Sequence, residues 1–440
     1  MYVYSSHDAL WRPLVFEKFG GDFRFRNSWK QSYLDLSREA ALRKCPTTKS
    51  VTTVTTTTSV KGATTSVESN VETLHPITNF TTITPIAVKG VYSDELFQPW
   101  FCAAMGVDES WLTVENIPRV NNLPLEDFVE KFEAPNLPVI ITDVVGAWPG
   151  YKKWSEEHLC KEYGNVKFRA GPIDITMSNY YRIKDTDENP IYLFDKFFGT
   201  NAPGLVDDYI VPPYFSGSQD LFSLFGDESR PDYKWIIIGP AGSGSTFHID
   251  PNGTSAWNAV VKGRKKWIMY PPSVPPPGIF PSEDGSEVAA PVSLNEWFSK
   301  FYAESKKEGV KPFECIVNEG EMIFVPSGWW HAVVNIEDSI AITQNYVSNA
   351  NLIKVIDFLK NKPNQISGCK PSLPAEELYA RFTQEYDKVY PGKLEHLCEE
   401  NRIRLVERAK GSFWNQVKNA APVATENGVG NTSGGFSFGF

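Results

Sequence analysis

The sequence predicts a mainly β protein, a sandwich or jelly-roll barrel with flanking helices. Three observations predict it. Short β-rich runs recur between Gly and Pro turn signals after about residue 190. Helical patterning is confined to the stretches on either side of those runs. Hydrophobic content of 41% and charged content of 22% are ordinary for a globular chain, and 440 residues suffice for a large core.

Residues 1–45 carry Leu10-Trp11, Phe19-Gly20-Gly21 and Ser28-Trp29-Lys30 within helix-favouring sequence. Residues 46–91 are rich in Thr, Ser and Val, as in Thr55 to Thr58. Thr and Val favour strands locally, but the run lacks larger apolar residues to bury, so it reads as a linker. A long block, 92–370, follows. Within it Pro124 opens a helix in the company of Glu126 and Asp127. Residues 139–143 read as a buried strand, and Ser155 caps a helix beginning at Glu156. The β core spans about 190–350, with strands at 234–238, 255–261, 266–270, 321–325, 331–336 and 340–347. In 371–415 the pattern turns helical: Tyr379, Phe382, Tyr386 and Val389 share one face, and Leu394, Leu397 and Cys398 mark a second helix. The Gly/Ser/Asn-rich tail, 416–440, is expected to be unstructured.

A net charge of −10 gives no global reason to bind nucleic acid and suits a basic partner. No run approaches the roughly 18 apolar residues that span a bilayer, and the amino terminus lacks a signal-peptide core. The expectation is an intracellular protein with no membrane partner. Six cysteines, at 45, 102, 160, 315, 369 and 398, show no C-x-x-C spacing. That argues against a disulfide framework or zinc ribbon and for mostly buried thiols.

The chemistry lies in His248-Ile249-Asp250 and in His331, which follows Pro326-Ser327-Gly328-Trp329-Trp330. The chain has six histidines. Strand alternation turns His248 and Asp250 to one side and Phe247 and Ile249 into apolar packing. His331 starts another strand and completes a three-point cap. Two histidines and a carboxylate are the ligand set of a non-haem Fe(II) site with open positions; zinc more often takes four ligands or three histidines. Thr343 and Asn345 share a strand face, and polar groups buried there need a partner such as a polar ligand. Asn258 lies in a neighbouring apolar strand. Lys265, turned inward, would meet a carboxylate; turned outward, 262–266 is a solvated basic turn or a localisation signal. Trp329 and Trp330 face opposite sides and read as core.

The run from His248 through Asp250-Pro251-Asn252-Gly253-Thr254 to Trp257-Asn258-Ala259, then Gly328-Trp329-Trp330-His331 and Ala341-Ile342-Thr343-Gln344-Asn345, resembles the Jumonji-C (JmjC) 2-oxoglutarate oxygenases. It is most similar to their arginine-demethylase/lysyl-hydroxylase group, over about 92–400. The resemblance implies a double-stranded β-helix, cupin-like core. It implies Fe(II) on His248, Asp250 and His331. It also implies 2-oxoglutarate as co-substrate, held by Lys265 and Thr343 at its distal carboxylate, with Asn258, Asn345, Tyr192 and Ser245 completing the pocket. Ser245 stands where the group has Thr, which keeps the hydroxyl. The implied reaction hydroxylates a lysine carbon, the outcome favoured here, or an N-methyl group, which then leaves as formaldehyde. The implied setting is the nucleus, with histones or other Arg/Lys-rich proteins as substrates and a homodimer formed through the carboxy-terminal helices. Leu10-Trp11-Arg12-Pro13-Leu14 and Ser28-Trp29-Lys30 resemble the closing part of an F-box. That raises a rival reading, a ubiquitin-ligase substrate receptor using the fold for binding alone. The opening helix of that motif has no counterpart before Leu10, and packing on the catalytic domain is the simpler expectation.

Overall fold

The computed structural model describes residues 8–44, 51–60, 63–72, 106–186, 190–307, 309 and 311–410. By internal contacts the chain divides into two compact units, residues 1–382 and 383–440.

Eight antiparallel strands form the heart of the first unit: β1 (Lys234–Gly239), β2 (Gly244–His248), β3 (Ser255–Lys262), β4 (Lys265–Tyr270), β5 (Phe313–Val317), β6 (Met322–Val325), β7 (Trp330–Asn335) and β8 (Ser339–Tyr346). They divide between two sheets, in alternation except that β4 and β5 pair within one. One runs β6-β3-β8-β1 and is extended at both edges by the strands Arg119–Val120, Val139–Ile141, Leu193–Asp195, Lys167–Ala170 and Ile173–Thr176; the other runs β5-β4-β7-β2. This is the expected double-stranded β-helix.

Period-2 alternation explains how the sheets stack. Ala256 and Val260 of β3, Trp267 and Met269 of β4, and Val333 of β7 point between the sheets. Trp257, Ala259 and Val261 point out from the larger sheet to helices and loops that include Phe128, Trp148 and Trp154. Ile268, Tyr270, Trp330, Ala332 and Val334 point out from the smaller sheet, towards Trp111 and the helix Leu294–Lys300. With both faces covered, β4 is buried along its whole length. Trp329 and Trp330 accordingly anchor separate layers, one in the inter-sheet core and one outside it. Each buried indole removes about 200 Å² from water, worth up to roughly 5 kcal/mol at 25 cal/mol per Å².

Local signals hold where they were read. Val139–Ile141 is a buried strand, and the Ser155 hydroxyl accepts from the His158 amide at the start of Glu156–Tyr163. The carboxy-terminal helices are Ala375–Val389 and Lys393–Lys410. The buried face of the first is Leu378, Phe382 and Tyr386, while Val389 is exposed.

Other expectations need correction. Within the 46–91 stretch read as a linker, Val51–Val60 and Ala63–Glu72 pair as an antiparallel hairpin, so the strand preference of Thr and Val is expressed there. Residues 45–50, 73–91 and the tail 416–440 lie outside the described residues. Among the described cysteines all are free thiols, but Cys315 alone is buried. The amino-terminal helices Trp11–Phe19 and Trp29–Lys44 pack on the β domain: Val15, Phe23 and Trp29 join its main core, and Asn179 donates to Phe23 O. The segment is part of that domain, and the F-box reading has no support. No described helix is long and apolar enough to cross a membrane.

Candidate metal centre and adjoining cavity

β2 lies at the free edge of the smaller sheet and pairs with β7, with His248 directly opposite His331. The two ring centroids are 4.2 Å apart. His248, Asp250 and His331 each offer a ligand atom, all within 4.8 Å of one another. Asp250 does not arrive by strand alternation: β2 ends at His248, and Asp250 sits at the head of a tight turn through Asn252 and Gly253. Both turn residues have positive φ, 58° and 70°. Asn252 is clamped there by hydrogen bonds to the Ser367 carbonyl and from the Ser367 amide. Because the strand stops, Ile249 is 37% exposed, contrary to expectation, while Phe247 packs edge-on against Trp297. His331 is delivered by the turn at Gly328, whose φ of 79° suits glycine.

Each imidazole is oriented by the carbonyl two residues before it. His248 Nδ1 meets Thr246 O at 2.8 Å, and His331 Nδ1 meets Trp329 O at 3.0 Å. A carbonyl can only accept, so each Nδ1 carries the proton and each Nε2 keeps its lone pair for a cation. Burial, with the adjacent His248, pushes the His331 pKa well down and holds the ring neutral. Burial raises the Asp250 carboxyl, against the lowering effects of His248 and an Asn345 hydrogen bond. Asp250 Oδ2 is buried with no partner. An orphaned carboxylate oxygen beside two prepared Nε2 atoms fits a divalent cation, whose charge would reverse the Asp250 shift. The donor set, two nitrogens and one oxygen, suits Fe(II).

Beside the triad lies a cavity of about 210 Å³. All nine residues singled out from sequence line it: His248, Asp250 and His331, with Tyr192, Ser245, Asn258, Lys265, Thr343 and Asn345. Lys265 is fully buried on β4. Its ammonium donates to Asn335 Oδ1 at 2.7 Å and meets no carboxylate among the described residues. Burial lowers its pKa to about 7. The alternative of a solvated turn fails here. The next residue shows the contrast: Lys266, on the opposite face, pairs with buried Glu314 at 2.9 Å. Thr343 donates to Trp257 O, Asn345 donates to Thr254 Oγ1, and Asn258 Oδ1 is buried without a partner. A buried ammonium lacking an anion, with hydroxyl and amide groups beside it, fits a ligand with a carboxylate end. These are the features that the distal half of 2-oxoglutarate would satisfy.

Sequence reading missed Phe194 and Trp235, which line the same cavity with ring centroids 5.6 Å apart. The signal was present in β1, where Ile236 and Ile238 face the core and Trp235 and Ile237 alternate toward the cavity. Phe194 is 40% exposed, which places it at the opening.

Comparison with known proteins agrees with this geometry. Residues 175–351 match the family model of the Cupin-like domain. The Arginine-specific demethylase JMJ22 of Arabidopsis thaliana is 43% identical over 422 residues, 95% of this chain and 76% of that protein. The Bifunctional arginine demethylase and lysyl-hydroxylase psr-1 of Caenorhabditis elegans is 40% identical over 256 residues, 54% of this chain and 63% of that one. The Lysine-specific demethylase JMJ21 of Arabidopsis thaliana is 32% identical across 80% of this chain, which spans only 34% of its length.

Proposed function

The chain belongs to the JmjC-type 2-oxoglutarate/Fe(II) oxygenases related to arginine and lysine demethylases, and we propose that it oxidises C–H bonds on basic side chains of nuclear proteins such as histones. The observation that carries this reading is the pairing of the His248–Asp250–His331 cluster with a cavity whose buried cation, Lys265, lacks an anion. When bound, Fe(II) and 2-oxoglutarate supply the oxidising chemistry: O2 is consumed, the keto acid becomes succinate and CO2, and one oxygen enters the substrate C–H bond.

The protein's own part is to hold and to exclude. His248 and His331 would bind the ion through Nε2 and Asp250 through its carboxylate. Lys265 and Thr343 would anchor the distal carboxylate of the co-substrate, with Asn258, Asn345, Tyr192 and Ser245 around it. Ile237, Trp267 and Val333 form apolar wall that keeps water from the reacting centre. Phe194 and Trp235 would flank the incoming side chain. The relative matched along 95% of the chain is named an arginine-specific demethylase, which supports N-methylarginine as the group attacked; psr-1 supports lysyl hydroxylation as the second reading.

The test is incubation of methylated and unmethylated basic peptides with protein, Fe(II), ascorbate and 2-oxoglutarate, read by mass spectrometry. Loss of a methylene with formaldehyde release supports demethylation, and gain of one oxygen on lysine supports hydroxylation. No succinate with any peptide refutes the oxygenase reading.

A further inference from the structure

The cation of the cavity is held by a polar strut that runs to the turn between β1 and β2. Lys265 Nζ donates to Oδ1 of Asn335, its cross-strand partner in register on β7. Asn335 is wholly buried, and its Nδ2 donates to Ser243 Oγ at 2.9 Å, with Pro240 O at 3.4 Å. Ser243 Oγ gives its one proton to Pro240 O at 2.5 Å, so toward Asn335 it can only accept. This polarity decides which end of the amide faces which neighbour: Nδ2 meets the hydroxyl and Oδ1 meets the ammonium. Backbone bonds lock the same turn to Asn335, from Asn335 N to Ser243 O and from Gly242 N to Asn335 O, both at 2.8 Å. A Cβ on Gly239 would lie 2.5 Å from Ser243 Oγ and 2.7 Å from Asn335 Nδ2. Glycine there lets the strut close against β1.

We infer that Asn335, oriented by Ser243, is a positioning residue that presents the Lys265 ammonium to the ligand's carboxylate without neutralising it. The inference rests on the reading of the cavity as a 2-oxoglutarate site. A lysine side chain is flexible and its ammonium is a point charge, so its place must be set by an acceptor. A carboxylate acceptor would take the charge for itself, as Glu314 does for Lys266. A neutral amide aims the ammonium and leaves its charge for the incoming anion.

The test compares 2-oxoglutarate with 2-oxobutyrate, the same keto acid without the distal carboxylate, by calorimetry on anaerobic Mn(II)-loaded protein. The native protein should prefer 2-oxoglutarate. Asn335→Ala and Asn335→Asp should lower that preference by about tenfold or more, with Mn(II) and 2-oxobutyrate affinities unchanged. Ser243→Ala should shift it the same way by less, and it decides the matter if the Asn335 variants do not fold. A purely structural role would weaken both keto acids together, and that result, or an unaltered preference in the variants, overturns the inference. Absence of any preference in the native protein overturns the 2-oxoglutarate reading instead.

Discussion

His248 and His331 face each other in register across β2 and β7, and each donates its Nδ1 proton to the carbonyl two residues upstream. The protein thereby prepares both Nε2 atoms for one cation before any cation arrives. Replacing either ring by alanine should weaken metal binding beyond the 10- to 100-fold that loss of an orienting partner typically costs. Succinate formation should vanish with it. Mn(II) should raise the melting temperature of the native protein and leave that of His248→Ala unchanged; equal stabilisation of both would place the ion elsewhere.

Lys265 and Lys266 are adjacent, both buried, and oppositely provided for. Lys266→Met would leave Glu314 with Lys306 and Tyr302 alone and should destabilise the fold, by less than the ~3–5 kcal/mol of a fully unpaired buried charge, read from denaturant unfolding. Lys265→Met removes a buried charge that has no carboxylate but leaves Asn335 Oδ1 without its donor, so the fold should lose less stability than with Lys266→Met. The same change should weaken 2-oxoglutarate binding roughly 10- to 150-fold, the value of a charged hydrogen bond. Greater destabilisation by Lys265→Met than by Lys266→Met would contradict this account.

The pH dependence of ligand binding follows from the same residue. Burial holds the Lys265 pKa at about 7, below its unfolded value, and an anion beside it would raise that value. Below about 7 the ammonium is ready charged; above it, binding must take up a proton. Affinity for 2-oxoglutarate should therefore fall as pH rises through 7 and beyond, by up to about tenfold per unit. Affinity for 2-oxobutyrate should stay flat, as titration calorimetry in buffers of different ionisation heat would show.

Phe194, partly exposed and set against Trp235, marks the substrate side of the cavity. Phe194→Ala should lower kcat/KM for a peptide about 2- to 10-fold, the range of one lost aromatic contact, and leave 2-oxoglutarate affinity unaltered. A loss confined to 2-oxoglutarate affinity would move Phe194 to the co-substrate end.

Six of the eight core strands are legible in the chain to within one residue at each end, because β-branched and aromatic runs broken by Gly and Pro carry strand boundaries locally. β5 escaped notice because Glu314 interrupts its apolar pattern; that acid is tolerated in the core only because Lys266, Lys306 and Tyr302 surround it. Ile249 was misjudged because alternation was extended past His248, where the chain turns through two residues of positive φ.

Sequence alone determined the chemistry on offer: which two histidines and which carboxylate follow from residue type and motif spacing, and which strand faces carry polar groups from a period of two. Tertiary structure decided what those groups meet. Whether Lys265 faces water or a cavity, whether it finds a carboxylate or Asn335, and whether Asp250 reaches the histidines all depend on register between strands distant in sequence. Register is set by the packing of whole layers, and no local run of residues encodes it.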